Sequence, residues 1–252
     1  MELPKEKSPI KGHLDKIVWL LFGAPKIGKS TLAASAEEAI FAATEQGLNF
    51  LSTYNVPINS WEDFKEFGAK LIKEKEEFIA LGKKPRFKTI IIDTTDILFK
   101  YCEEAVCKEK DIDSPGDLGY GKGWSFLKSE FQRVILRLAG AGFGFIFISH
   151  MKEQKIKQRN QEYDKIMPTM SESCRKILLP MVDVIGLLTV DFIKDKDFNI
   201  IGEEHVLVTK GNASLEVGAR GGPNMTFPPK IILPRENGFQ AIQKAIEEYN
   251  KK

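Results

Sequence analysis

Lys16-Ile17-Val18-Trp19-Leu20-Leu21-Phe22-Gly23-Ala24-Pro25-Lys26-Ile27-Gly28-Lys29-Ser30-Thr31 is the stretch on which the fold turns. From Lys16 to Phe22 it is almost wholly apolar, as a strand covered on both faces of a parallel sheet is. Gly23 to Ser30 match G-x-x-x-x-G-K-[ST] in full, and a helix-prone run, Thr31 to Glu38, follows. Strand, glycine-rich turn and helix in that order make a phosphate cradle: backbone N–H groups curl around an anion and Lys29 reaches its outer oxygens. The Ser30 hydroxyl is then placed for Mg²⁺. The nucleotide-binding set is therefore Gly23, Ala24, Pro25, Lys26, Ile27, Gly28, Lys29, Ser30 and Thr31.

Working outward, short apolar runs alternate with amphipathic ones. Ala39–Ala43, Thr89–Asp93 and Phe143–His150 read as further strands. Ser60 reads as a helix cap with Asp63 three residues on, and helices are expected from about Asp96 to Lys110 and from Trp124 to Leu138. The pattern is that of an α/β domain with a mostly parallel central sheet flanked by helices. Past Pro168 the texture changes. A short helix (Ser171–Leu179) precedes Val182–Ile193 and Ile200–Thr209, which flank Asp195–Asn199 as a C-terminal antiparallel hairpin. A last helix falls within 236–252, and 1–15 form an N-terminal extension to what reads as one domain over 1–252.

Composition narrows the class. The chain has 252 residues, 42% hydrophobic and 29% charged, which excludes disordered and low-complexity classes. A net charge of +2 excludes a histone-like polyanion binder but leaves room for a local basic surface. Three cysteines without CxxC spacing argue for a reducing compartment and against a zinc site. No signal peptide and no run of bilayer length is read, so a cytoplasmic location without membrane contact is expected.

Three further positions belong with the phosphate loop. Asp93, ending Ile90-Ile91-Ile92, supplies the carboxylate for Mg²⁺ beside Ser30. Thr94 and Thr95 follow it where many ATPases place a Glu, so Glu45, at the next strand tip, becomes the candidate for orienting water; the competing reading is a solvated turn residue. His150 ends another strand on the same edge and suits a γ-phosphate contact, against the alternative of a structural histidine. Lys29, Glu45 and His150 are thus the catalytic candidates. Asp96 reads as a helix cap.

Two segments carry nucleic-acid chemistry. Gly119-Tyr120-Gly121-Lys122-Gly123-Trp124 interleaves aromatics and a base, the ingredients for stacking bases while holding phosphate. Lys152, Lys155, Lys157 and Arg159 form a basic segment directly behind His150, read as a loop. Trp124 as a core anchor and the basic segment as a solvated loop are the plain alternatives.

Taken together, the phosphate loop, Thr44-Glu45, Ile-Ile-Ile-Asp, Gly-Tyr-Gly-Lys-Gly-Trp and Ser149-His150 resemble the short RecA-like P-loop ATPases of bacteriophages, which act in single-strand annealing or recombination. The resemblance covers roughly Lys16 to Pro229. It implies a RecA-like P-loop NTPase fold, ATP and Mg²⁺ as ligands, and single-stranded DNA as partner. It further implies a homo-oligomer, a single-stranded-DNA-binding protein as a second candidate partner, and the cytoplasm of a bacterial host. Glu45 then matches the catalytic Glu, the regions of Lys122 and Lys152–Arg159 match two DNA-binding loops, and Arg220 becomes a candidate for a charge supplied across a subunit interface. A polymerisation motif of the Phe-x-x-Ala kind is not found. A helicase-like motor or loader, and a nucleotide-gated DNA-binding module with negligible turnover, stand as alternatives.

Overall fold

The computed structural model describes residues 14–158, 161–222 and 225–251; most of the expected N-terminal extension lies outside them. In chain order the elements are β1 (Val18–Gly23), α1 (Lys29–Ala34), β2 (Ala39–Ala43), β3 (Tyr54–Pro57), α2 (Trp61–Ala80), β4 (Thr89–Asp93), α3 (Thr95–Lys110) and α4 (Lys122–Gly140). There follow β5 (Gly144–Gln158), β6 (Gln161–Pro168), α5 (Glu172–Leu178), β7 (Val184–Lys194), β8 (Ile200–Val208), β9 (Gly218–Ala219), β10 (Lys230–Leu233) and α6 (Gly238–Tyr249).

All strands join one 10-stranded sheet whose spine runs β10-β8-β7-β1-β5-β4-β2-β3, with β6 added to β5 and β9 to β7. From β7 to β3 the pairing is parallel; β8 and β10 turn antiparallel at one side. This is the mostly parallel α/β sheet with an antiparallel C-terminal hairpin that the alternating pattern requires.

Strand alternation splits the core into two layers. Leu20, Ile90, Ile92, Phe145 and Phe147 point to the face covered by α2, α3, α4 and α5, where Trp61, Phe64 and Phe131 are fully enclosed. Trp19, Leu21, Ile91, Ile146 and Ile148 point to the other face, packed by Leu32 of α1 and by Phe239, Ile242 and Ile246 of α6. Ser60 caps α2 by accepting from the Asp63 amide at 3.0 Å, while the Asp63 carboxylate reaches back to the Asn59 amide at 2.9 Å.

Three sequence expectations need correction. First, the segment behind His150 is not a loop: β5 runs on through Gln158 and pairs with β6 from Met151↔Pro168 to Gln158↔Gln161. The run Lys152-Glu153-Gln154-Lys155-Ile156-Lys157 is polar but for Ile156 and has no fully buried side chain, so no hydrophobic alternation betrays it as strand. Second, α4 begins at Lys122, two residues before the expected start at Trp124, placing Lys122 and Gly123 on its first turn rather than in the glycine-rich loop. Third, Asp96 is no cap; Thr94 holds the N-cap position of α3. The Asp96 carboxylate instead accepts from Ser149 Oγ and Thr169 Oγ1, each at 2.8 Å. No helix among the described residues is long and apolar enough to cross a membrane.

Candidate nucleotide site

Parallel register brings the candidate residues to one edge. Gly23 stands opposite His150 across β1–β5, and Asp93 stands opposite Ala43 across β4–β2, so Gly23, Ala43, Asp93 and His150 lie together at the C-terminal edge of the parallel strands. In open parallel sheets that edge is where ligands bind, because loops and helix starts converge there.

The phosphate loop takes its shape from two glycines with different duties. Gly23 lies so close to β7 that a Cβ would sit 2.3 Å from the Leu188 carbonyl oxygen. At Gly28 a Cβ would meet open space; there the requirement is conformational, with φ at +95° as the chain turns into α1. Lys26 also adopts the left-handed region, at φ 64°. Left-handed residues at 26 and 28, on either side of Ile27, curl the loop into a concavity.

Lys29 is only 6% exposed. Its ammonium donates to the carbonyl oxygens of Ala24 at 2.8 Å and Gly23 at 3.1 Å, and lies 3.5 Å from His150 Nδ1. Burial pushes its pKa down, opposed by the negative charges of Asp93, Glu45 and Asp96. Ser30 Oγ donates to Asp93 Oδ2 at 2.5 Å. Burial pushes the Asp93 carboxyl up, the Ser30 hydrogen bond and then Lys29 and His150 act against it, and Glu45 adds to it. A hydroxyl and a carboxylate oxygen in contact are hard donors of the kind Mg²⁺ takes, with phosphate oxygens and water completing its shell. The residues present therefore fit the metal.

Glu45 follows β2 on an exposed bend, its Oε1 accepting from Thr94 Oγ1 at 3.0 Å. Thr44 and Thr94 are locked to each other: Thr94 N donates to Thr44 Oγ1 at 2.8 Å, and Thr44 Oγ1 donates to the Thr94 carbonyl at 3.1 Å. Nothing in the sequence marks this clamp, since Thr44 and Thr94 lie 50 residues apart. It exists because β2 and β4 end in register, which only the folded sheet reveals. Thr31 follows Ser30 on α1, and Ser149 turns away from the loop toward Asp96.

The nucleic-acid candidates separate into two groups. α3 leaves the edge at Thr95 and α4 returns antiparallel to it. Phe99 packs on Phe131 near the edge, where Trp61 also meets Phe131, and Lys110 covers Phe126 farther out. Tyr120, Lys122 and Trp124 sit at that outer end. Tyr120 is fully exposed, with φ 57°, and Trp124 is 41% exposed, so it is no core anchor.

The second group lies on the arm formed by β5 and β6. Alternation sends Lys152 to the same side as Lys165, facing α5. Lys155 and Lys157 point to the opposite side, where the register sets them across from Asp164 and Glu162, the latter 3.8 Å from Lys157. Arg159 lies outside the described residues. Arg220 stands far from the phosphate loop of its own chain. It donates to Asp183 Oδ1 at 3.0 Å and to the Pro180 carbonyl at 2.5 Å, and the Asp183 carboxylate accepts from the Val18 amide at the opposite end of β1.

The family model described as AAA domain matches residues 15–220. A relative, the SPbeta prophage-derived uncharacterized protein YorG of Bacillus subtilis (strain 168), is 30% identical over 183 residues, which is 71% of this chain and 51% of YorG. The chain thus spans about half the length of the curated relative it matches. With a complete phosphate loop, a paired Ser30 and Asp93 and the family match over most of its length, the chain belongs to the AAA domain family of P-loop ATPases.

Proposed function

We propose that this protein hydrolyses ATP with Mg²⁺ and couples the reaction to single-stranded DNA in phage recombination or annealing. One observation carries the coupling: β5 is a single strand that pairs with β1 beside the phosphate loop through His150 and then continues outward as half of the β5–β6 arm. A contact at His150 is therefore continuous, through one backbone, with the arm that bears Lys152. The base of the arm is also tied to α3, since Thr169 and Ser149 share the Asp96 carboxylate. The prophage origin of YorG supports the phage setting.

In this reading Lys29 swings from the Gly23 and Ala24 carbonyls to the phosphate oxygens, and Ser30 and Asp93 hold Mg²⁺. A Mg²⁺ ion held by these two side chains would neutralise charge on the phosphates. Glu45, oriented by Thr94, accepts the proton of the attacking water, and ADP and phosphate leave. His150 Nδ1, beside Lys29, is placed to meet the terminal phosphate. Tyr120 and Trp124 offer rings to unstacked bases, with Lys122 and the arm lysines along the backbone.

Phosphate release measured with and without single-stranded DNA tests the proposal. The expected result is stimulation by DNA and a binding constant that falls with salt by about 0.7 log units per log unit for each phosphate neutralised. Turnover indifferent to DNA, with no DNA binding at low salt, would refute the coupling and leave an ATPase of another role. Directional unwinding of a duplex would assign a helicase-like motor instead.

A further inference from the structure

β7 and β8 run past the sheet that holds them. β7 keeps β1 as a neighbour only as far as Leu188↔Gly23, and β8 keeps β10 only from His205 to Val208. From Asp191 to Glu204 the two strands pair only with each other among the described strands, as a ribbon that projects beyond the phosphate-loop edge. Phe192, Ile193, Phe198, Ile200 and Ile201 are all exposed on it, Phe198 at 81%. The Asp195 carboxylate fixes the tip, accepting from the amides of Asp197 at 2.8 Å and Asn199 at 2.9 Å. A two-stranded ribbon gains little stability from its own contacts in water. Large apolar side chains clustered at its end mark a surface that another surface covers.

A complementary surface lies between the β5–β6 arm and α5, where a groove of about 730 Å³ opens. Ile156 of β5, Met167 of β6 and Leu179 past the end of α5 give it apolar walls, and Lys152, Arg175 and Lys176 stand among them. With Lys165 the groove holds four bases against two acids, Glu172 paired with Lys176 and Glu216 paired with Arg175 and Lys165. The ribbon carries the reverse balance: Asp191, Asp195, Asp197, Glu203 and Glu204 against Lys194 and Lys196. We propose that the tip of the β7–β8 ribbon of one copy seats in the arm–α5 groove of a second copy of this chain. Its apolar side chains then face Ile156, Met167 and Leu179, and its acids face Lys152 and Lys176.

Charge alone would also suit a nucleic-acid backbone, but the groove favours the ribbon. Its apolar walls are surface that phosphate does not use, and among the described residues that line it there is no aromatic ring to stack a base. Strand alternation leaves Lys155 and Lys157 on the opposite face of the arm, so DNA on that face does not compete with a ribbon in the groove. Ribbon and groove are different surfaces, so every copy offers one of each and the contact is heterologous. The inference stands apart from the ATP and DNA readings, and its test uses neither ligand for assembly.

Sedimentation velocity across a concentration series, without nucleotide or DNA, tests it on three proteins. They are the wild type, a ribbon variant (Phe198→Asn with Ile201→Thr) and a groove variant (Lys152→Glu with Lys176→Glu). Both ribbon side chains are exposed, and Asn tolerates the left-handed φ of 64° at position 198, so the melting temperature stays at the wild-type value. The wild type is expected to self-associate, and each variant to do so about tenfold or more weakly. An equimolar mixture of the two variants then recovers a complex that stops at two chains, because the intact ribbon of one meets the intact groove of the other. A wild type that stays monomeric throughout overturns the proposal, as does a variant that assembles like the wild type. Two monomeric variants whose mixture also stays monomeric overturn the pairing of ribbon with groove. Wild-type assembly in the groove variant together with lost binding of an oligothymidine strand would give the groove to DNA instead.

Discussion

Replacing Glu45 by Gln isolates the chemical step from binding and from the fold. Gln keeps the Oε1 acceptor that Thr94 Oγ1 meets at 3.0 Å, so orientation persists while basicity is lost. Removing a positioned general base lowers turnover by about 10²–10⁴-fold, or about 2.7–5.4 kcal/mol at 1.36 kcal/mol per tenfold. Thr94→Val makes the complementary change. Thr94 is buried and valine keeps its shape, while the backbone bonds to Thr44 remain. Glu45 then loses one oriented hydrogen bond, a net effect of about 1 kcal/mol and so roughly fivefold in turnover. The assay is steady-state phosphate release at saturating ATP, with nucleotide affinity measured separately and expected to hold in both variants. If Thr94 acts only by aiming Glu45, adding Thr94→Val to Glu45→Gln costs nothing further. Wild-type turnover in Glu45→Gln would return Glu45 to a solvated bend. A fivefold loss that persists in the double variant would move the role of Thr94 elsewhere.

The other predictions are independent of that clamp. Lys29→Ala abolishes turnover and weakens ATP binding while the melting temperature stays near wild type, because Nζ contacts only the loop carbonyls and His150; calorimetry and a phosphate assay check it together. Gly23→Ala forces a Cβ against the Leu188 carbonyl and costs about 1–3 kcal/mol, read as a lower melting temperature at roughly 2–4 °C per kcal/mol. Cys102 and Cys174 are buried and desolvation pushes their thiols up, so an aromatic disulfide reagent at pH 8 leaves both unmodified in the native protein and labels them once denaturant unfolds it. Trp124→Ala weakens single-stranded DNA binding by about 1–3 kcal/mol with little change in salt slope or melting temperature, and an unchanged DNA affinity removes Trp124 from the contact surface.

The strand, phosphate loop and helix were legible because a parallel strand buried on both faces cannot carry polar residues, so Ile17 to Phe22 declare themselves in any context. Asp93 was legible for the same reason: a charge closing an apolar run marks where a strand leaves the core. The order of strands was not. Nothing in Ile90–Asp93 or Phe143–His150 says that the first lies between β2 and β5, and the Thr44–Thr94 clamp and the Asp96 network depend on that order. Asp96 misleads for a local reason, since an Asp at the start of a helical run has the chemistry of a cap. Its partners Ser149 and Thr169 are distant in sequence and meet it only when β5 lies beside β4.

The arm shows a more general limit. Hydrophobic pattern reports which faces are covered, whereas a strand is defined by its hydrogen bonds. Phe143 to Ser149 lie between neighbours and under helices, so they are apolar; from Met151 onward β5 has β6 as its partner and water near its faces, so it is polar. The change at His150 reads as the end of a strand and is instead the point where the strand leaves the sheet. That distinction matters for mechanism. A loop behind His150 would transmit a phosphate contact by ordering and disordering. A strand paired on β6 and anchored through Thr169 would transmit it as a shift of one stiff element against Asp96. The Asp96→Asn variant separates the two. It keeps the shape of the side chain but turns one of the two acceptor oxygens into an NH₂ donor and removes the charge that Ser149 and Thr169 share, so a strand mechanism predicts reduced DNA stimulation with basal ATP turnover preserved. A loop mechanism predicts no change in either, because a loop would not draw on the anchor.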